Sequence, residues 1–243
     1  MLDLKISGGT LVDGSGGSPF SGDIGVKDGR IVALGRVSEP ARRTIDAGGT
    51  KVMPGFIDIH THYDGQAVWD RTLAPSSVHG VTSVLMGNCG VGFAPLRPGS
   101  ASVLVKLMEG VEEIPGTVLY EGLDWAWESF GSYLDRVEQT PHAINVAAQI
   151  PHDPVRLYVM GERAATQQAA THDDVCAMRA IVREALEAGA FGFSTGRSDT
   201  HRTSDGRDTP AAIADLQELS GIASALRDMP YRILSAVSDF DMF

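Results

Sequence analysis

The sequence predicts an α/β protein in which a small all-β unit precedes a series of parallel βα repeats. Three observations predict it. Apolar residues alternate with polar ones over the first fifty positions, broken by Asp-Gly and Gly-Gly pairs. After Pro54 the pattern changes to short apolar runs separated by longer helical stretches. The chain has 243 residues, 43% hydrophobic and 21% charged, an ordinary globular balance with enough length for a substantial core.

The segments LDLKISGGTLVDG, GDIGVKDGRIVALG and TIDAGGTKVMPG read as short antiparallel strands joined by tight turns, so residues 1–54 form the small β unit. Residues 55–243 follow, with FIDIH, TSVLMGN, INVAAQI, AFGFSTG and RILSAVS as strand candidates. The clearest helix runs from Thr171 to Ala188: Thr171 and Asp174 suit a capping box, Val175, Met178, Val182 and Leu186 share one face, and Gly189 stops it. A second helix is expected over Ala211 to Leu226. Between Ala94 and Ser129 lies a Gly- and Pro-punctuated segment containing Trp125 and Trp127, too long for an ordinary βα loop and expected to shape a binding mouth or lid.

Subtracting 31 acidic from 20 basic residues gives the formal charge of −11, which opposes attraction to nucleic acid or to an anionic membrane surface. The start MLDLKISGG has no basic leader or long apolar stretch, so a cytoplasmic protein is expected. Two cysteines, Cys89 and Cys176, are too few for a disulfide framework.

The chemistry is concentrated in GFIDIHTHYDGQ, Gly55 to Gln66. Alternate residues of a strand face one side, so His60 and His62 project together with Thr61 opposite, and both imidazoles can reach one divalent ion. Asp58 and Asp64 share that side. A bare pair of this kind also suits a strand end whose imidazoles meet backbone groups. Cys89, in MGNCGVGFAP, sits among turn residues where a ligand can approach; a thiolate suits zinc, and a buried free thiol is the other reading. His152 in QIPHDPVR, Arg197 after the fourth strand candidate and His201 in SDTHRTSDG are candidate substrate contacts. Each also suits a structural role: a loop histidine, an internal ion pair and a solvated loop respectively. His79, His142 and His172 read as surface or helix-end residues, Cys176 as a partly buried free thiol, and DGSGGSPFSGD as a turn.

The passage IDAGGTKVMPGFID, Ile45 to Asp58, followed by the histidine pair, resembles the amidohydrolase superfamily, whose first barrel strand ends in an HxH pair that binds zinc or a similar ion. GNCG around Cys89, VRLYVMGERAAT and LEAGAFGFSTGR look like its N-acyl-D-amino-acid deacylase branch, also called D-aminoacylase or amidohydrolase 3. The resemblance implies an incomplete (β/α) TIM-type barrel, about five of eight strands, preceded by a small N-terminal β-sandwich-like unit and interrupted by an insertion at about 96–130. It implies a divalent metal, Zn2+ before others, held by His60, His62 and Cys89, and a small N-acyl amino acid as substrate. The family's remaining imidazole ligands belong to its fifth and sixth strands, and its proton-shuttle aspartate to the eighth. No catalytic residue of that kind is therefore expected here. Little hydrolysis by the chain alone and self-association through an exposed barrel edge are expected instead. The four lysines, Lys5, Lys27, Lys51 and Lys106, lie outside the fourth strand candidate, which disfavours the lysine-bridged centre of the cyclic-amide hydrolases. The alternatives are a non-catalytic remnant, a dipeptidase or a cyclic-amide hydrolase.

Overall fold

A computed structural model describes residues 1–239. The chain divides into two compact units, Met1–Phe56 and Ile57 onward. The predicted barrel part extends to position 243, of which 240–243 lie outside the described residues.

In the first unit β1 (Leu2–Leu11) pairs antiparallel with β2 (Phe20–Lys27), which turns into β3 (Arg30–Gly35). Asp28 and Gly29 both adopt left-handed φ, 50° and 70°, as a two-residue type I′ hairpin requires. The next two strands depart from the antiparallel expectation. β4 (Ala41–Asp46) and β5 (Lys51–Val52) both run parallel to β1. β1 is long enough to hold both, pairing Leu2 with Ala41 at one end and Leu11 with Val52 at the other. The result is one mixed sheet in the order β3-β2-β1-β4, with β5 beside β1, in place of two sandwiched layers. Leu2, Leu11, Val37 and Ala47 are buried, whereas Ile31, Val32 and Leu34 on β3 stay exposed, apolar surface that a second layer would cover.

β6 (Phe56–Asp58) leads into the second unit and joins β7 (Val81–Met86) and β8 (Asn145–Ala148) in a three-stranded sheet, with β7 and β8 parallel. A second parallel sheet contains β9 (Ile150–Pro151), β10 (Gly192–Arg197) and β11 (Ile233–Ser238). All five strand candidates are thus strands, but INVAAQI is split. Its interruption is Gln149, whose backbone N–H donates to Met86 O while its side chain donates to Asn88 Oδ1 and accepts from Ser235 Oγ. The described strands do not close into a barrel.

The insertion is more ordered than a loop. It contains α1 (Ala101–Glu112) and α2 (Gly116–Gly122), which bury Leu104, Leu107, Met108 and Leu119, and Trp127 donates its indole N–H to Phe93 O. Neither helix has a side-chain N-cap bond, so the usual start signal is missing and packing holds them. α3 (Phe130–Glu138), α4 (His152–Met160) and the short α5 (Glu162–Ala165) follow. α6 (His172–Ala188) has the predicted capping box and the left-handed Gly189 stop, and it buries Met178, Val182 and Leu186. α7 covers only Leu216–Ala223, because Asp215 accepts the Glu218 N–H and sets the start later than expected. Among the described residues no helix is long and apolar enough to cross a membrane.

Candidate metal centre

The chain leaves β6 at Asp58, so His60 and His62 lie just beyond the strand rather than within it. Backbone geometry still alternates them around Thr61, whose N–H and hydroxyl both donate to Leu85 O on β7. With Thr61 pinned to the neighbouring strand, the two imidazoles stand on the other side, ring centroids 5.4 Å apart.

Cys89 reaches them from a tight turn after β7. Gly87 takes φ 76° there, and a Cβ at Gly87 would lie 2.1 Å from Gln149 O. Only glycine permits that approach. Cys89 itself is held at φ 58°, a left-handed conformation that costs a β-carbon residue on the order of 1–3 kcal/mol. The turn thereby places the sulfur 3.1 Å from Nε2 of His60 and 3.6 Å from Nε2 of His62. Asn88 locks the arrangement: its amide donates to Thr61 O and Leu85 O, and its carbonyl accepts from Gln149.

Donor atoms of His60, His62 and Cys89 all fall within 4.8 Å of one another. A tetrahedral zinc with N and S ligands separates those donors by about 3.6 Å, given bonds of about 2.0–2.1 Å and 2.3 Å. The observed separations fit, and the set of two imidazoles and one thiol is the chemistry zinc prefers. Electrostatics agrees that a cation is needed to charge the sulfur. Burial pushes the Cys89 thiol up to about 12, with the Glu112 and Asp64 carboxylates adding to it. Burial holds the His62 imidazole down at about 4, helped by His60 and His201. Neutral, lone-pair-bearing imidazole is the form that binds a metal, and a divalent ion favours the thiolate.

Two carboxylates adjoin the cluster. Asp64 is buried, and that burial raises its carboxyl to about 7 against opposing backbone hydrogen bonds. Glu112, the last residue of α1, places Oε1 3.2 Å from Nε2 of His62. Burial raises its carboxyl to about 7 as well. Sequence reading noted Asp64 but missed Glu112. Glu112 and Glu113 are acidic at a helix C-terminus with no basic residue in the last turn, against the helix dipole, but that helix carries no local start signal and so gave the sequence no way to single them out.

The other candidates are placed differently. His201 lies in the loop after β10, where burial lowers its pKa and His60 is among the charges acting on it. Arg197 ends β10 with an exposed side chain. His152 opens α4 fully buried; Nδ1 lies 3.0 Å from Thr195 Oγ1 and Nε2 3.1 Å from Glu218 Oε1, which also accepts from Arg156. His79 ends a short 3-10 turn, and Nε2 of His142 bonds Ala67 O. Both cysteines are free thiols, and Cys176 lies 3.6 Å from Nε2 of His172.

Comparison with known proteins gives a consistent set of relatives. The Amidohydrolase family model matches residues 43–242. The chain is 39% identical over 196 residues to a D-aminoacylase of Alcaligenes xylosoxydans xylosoxydans, covering 80% of this chain and 38% of the relative. It is 37% identical over 226 residues to the N-acyl-D-aspartate deacylase of the same organism, covering 93% and 41%. Among solved structures, the N-acyl-D-glutamate deacylase of Bordetella bronchiseptica, complexed with zinc and a phosphonate mimic of the tetrahedral intermediate, superposes with TM-score 0.75 at 34% identity, covering 97% of this chain and 44% of that one. The chain thus spans about two fifths of the length of the curated relatives it matches.

Proposed function

Because the chain belongs to the amidohydrolase family, we propose that it carries the first strand-end part of the zinc centre of a hydrolase that cleaves the amide bond of N-acyl-D-amino acids. The observation that carries this reading is the convergence of His60, His62 and Cys89 within 4.8 Å. When bound there, zinc supplies a lowered water pKa and a polarised amide carbonyl.

The chain's own residues hold and orient. His60 and His62 offer their Nε2 lone pairs, and the strained turn after β7 delivers the Cys89 sulfur between them. Asn88 fixes Thr61, and so the spacing of the two histidines. Arg197 at the end of β10 is suited to a two-point contact with the substrate carboxylate, and His201 in the following loop lies near enough to His60 and His62 for their charges to act on one another. His152, bonded on both ring nitrogens, positions β10 through Thr195 rather than meeting substrate. Names of the relatives support a D-configured substrate. The fourth strand candidate, AFGFSTG, holds no lysine, which disfavours a cyclic-amide hydrolase with a lysine-bridged centre.

The test is an enantiomer-matched assay of the zinc-loaded product of the complete gene, using N-acetyl-D- and N-acetyl-L-amino acids beside a cyclic amide. Release of acetate from D-substrates, lost in His60→Ala, is expected. Turnover of only the L-series or the cyclic amide would remove the substrate assignment, and no turnover of any would favour a non-catalytic metal-binding remnant.

A further inference from the structure

We infer that Glu112 supplies an oxygen donor to the cation held by His60, His62 and Cys89, completing with a carboxylate a set otherwise made of nitrogen and sulfur. This inference rests on the metal-binding reading above and extends it to a residue of the insertion. Glu112 is the final residue of α1, and its Oε1 stands 3.2 Å from the same His62 nitrogen that faces the Cys89 sulfur. That contact brings the carboxylate to the edge of the cluster, against one of its nitrogen donors.

Charge points the same way. The side chains of His62 and Glu112 are only 14% and 20% exposed, and among the described residues no lysine or arginine pairs with Glu112. A desolvated carboxylate without a cation is costly. One dication, one thiolate and one carboxylate make a neutral set, so an ion at the cluster answers both anions at once. The position within α1 is also unfavourable on its own, because a carboxylate at a helix C-terminus opposes the macrodipole. Among the described residues, His62 Nδ1 is also buried without a hydrogen-bond partner, while its Nε2 faces both the Cys89 sulfur and Glu112.

The Glu112 oxygen lies outside the 4.8 Å span that the other three donors share, so ligation requires the side chain to rotate toward the ion. At the end of α1, with Glu113 turning the chain away at φ 55°, no further helix turn continues beyond that side chain. The helix body is tied to the loop after β10, because Ser204 N–H donates to Lys106 O in mid-helix and a Cβ at Gly110 would lie 2.2 Å from Arg202 O.

The test uses Co2+ as a spectroscopic stand-in for zinc in the 243-residue chain, with affinity read by chelator competition and folding by circular dichroism. Glu112→Gln is expected to weaken Co2+ affinity about tenfold or more and to shift the visible d–d bands, while the thiolate-to-cobalt charge-transfer band persists. Glu112→Asp should recover part of the affinity. Glu113→Gln, which removes the same charge from the exposed neighbour, should change nothing. Unchanged affinity and spectrum in Glu112→Gln, or an equal loss in Glu113→Gln, would overturn the inference. A chain lacking any charge-transfer band that Cys89→Ser abolishes would instead bring down the metal-binding reading, and this inference with it.

Discussion

Asn88 is buried between β7 and the histidine loop, and each of its polar atoms is used: two acceptors on Thr61 and Leu85, and one donor from Gln149. Removing the amide leaves buried groups without partners, a penalty of about 1–3 kcal/mol, and frees the loop that spaces the histidines. Asn88→Ala is therefore expected to lower stability by that amount in urea denaturation and to weaken zinc binding about 10- to 100-fold. Equal zinc affinity in the folded variant would show that the loop holds its shape without Asn88. At this scale the sequence was informative where chemistry and spacing coincide: His60 and His62 stand two apart, and Cys89 lies among turn-forming residues. The roles of Asn88 and Glu112 were not legible, because both depend on contacts between segments far apart in the chain. His152 reads as a loop residue beside two prolines, yet it is the first residue of α4, and nothing local reveals that Glu218, 66 positions later, meets its ring.

Helix α6 shows what makes an element readable. Its start, face and stop are all written locally, in the Thr171–Asp174 box, the Met178, Val182 and Leu186 stripe, and Gly189. Thr171→Ala should cost about 1 kcal/mol, measured as a drop in urea midpoint at constant slope. Asp174 adds a pH dependence whose sign follows from its surroundings. Its carboxyl is held well below the ordinary range, first by the Arg163 guanidinium and then, against burial, by the Thr171 N–H and hydroxyl. The stabilisation is fully present above the unfolded pKa of about 3.9 and is lost as pH falls through the lower folded value. Asp174→Asn should flatten that acid limb, and an unaltered acid titration of stability would contradict the account. Helices α1 and α2 lack such local signals, since no side chain caps them and glycines punctuate the segment. Only their burial in the apolar cluster that also holds Phe93 and Trp127 reveals them, which is why the insertion reads as a loop. In the first unit, turn chemistry predicts the β2–β3 hairpin well, but strand direction is decided elsewhere. β4 and β5 are parallel to β1 because the chain crosses back before each one, a choice no dipeptide records.

For the molecule as a whole, the parallel order of β7 with β8 and of β9, β10 and β11 was legible from apolar runs alternating with helices. The break at Gln149 was not, since it arises from a buried side chain bonded to two other strands. Among the described residues β11 pairs only with β10, and Ile233 and Leu234 on it are exposed. An unpaired apolar edge is a template for further pairing. The isolated 243-residue chain is expected to self-associate with rising concentration in sedimentation velocity, and a Leu234→Lys variant to do so less. A single concentration-independent monomer would contradict this. The central claim is nevertheless local: one thiolate and two imidazoles, brought from the ends of neighbouring strands, hold one zinc ion. Zinc K-edge X-ray absorption of the loaded chain reads that shell directly. The account predicts one sulfur scatterer at about 2.3 Å beside nitrogen and oxygen scatterers at about 2.0–2.1 Å, with the sulfur lost in Cys89→Ser. A shell of nitrogen and oxygen alone in the unaltered chain would contradict it.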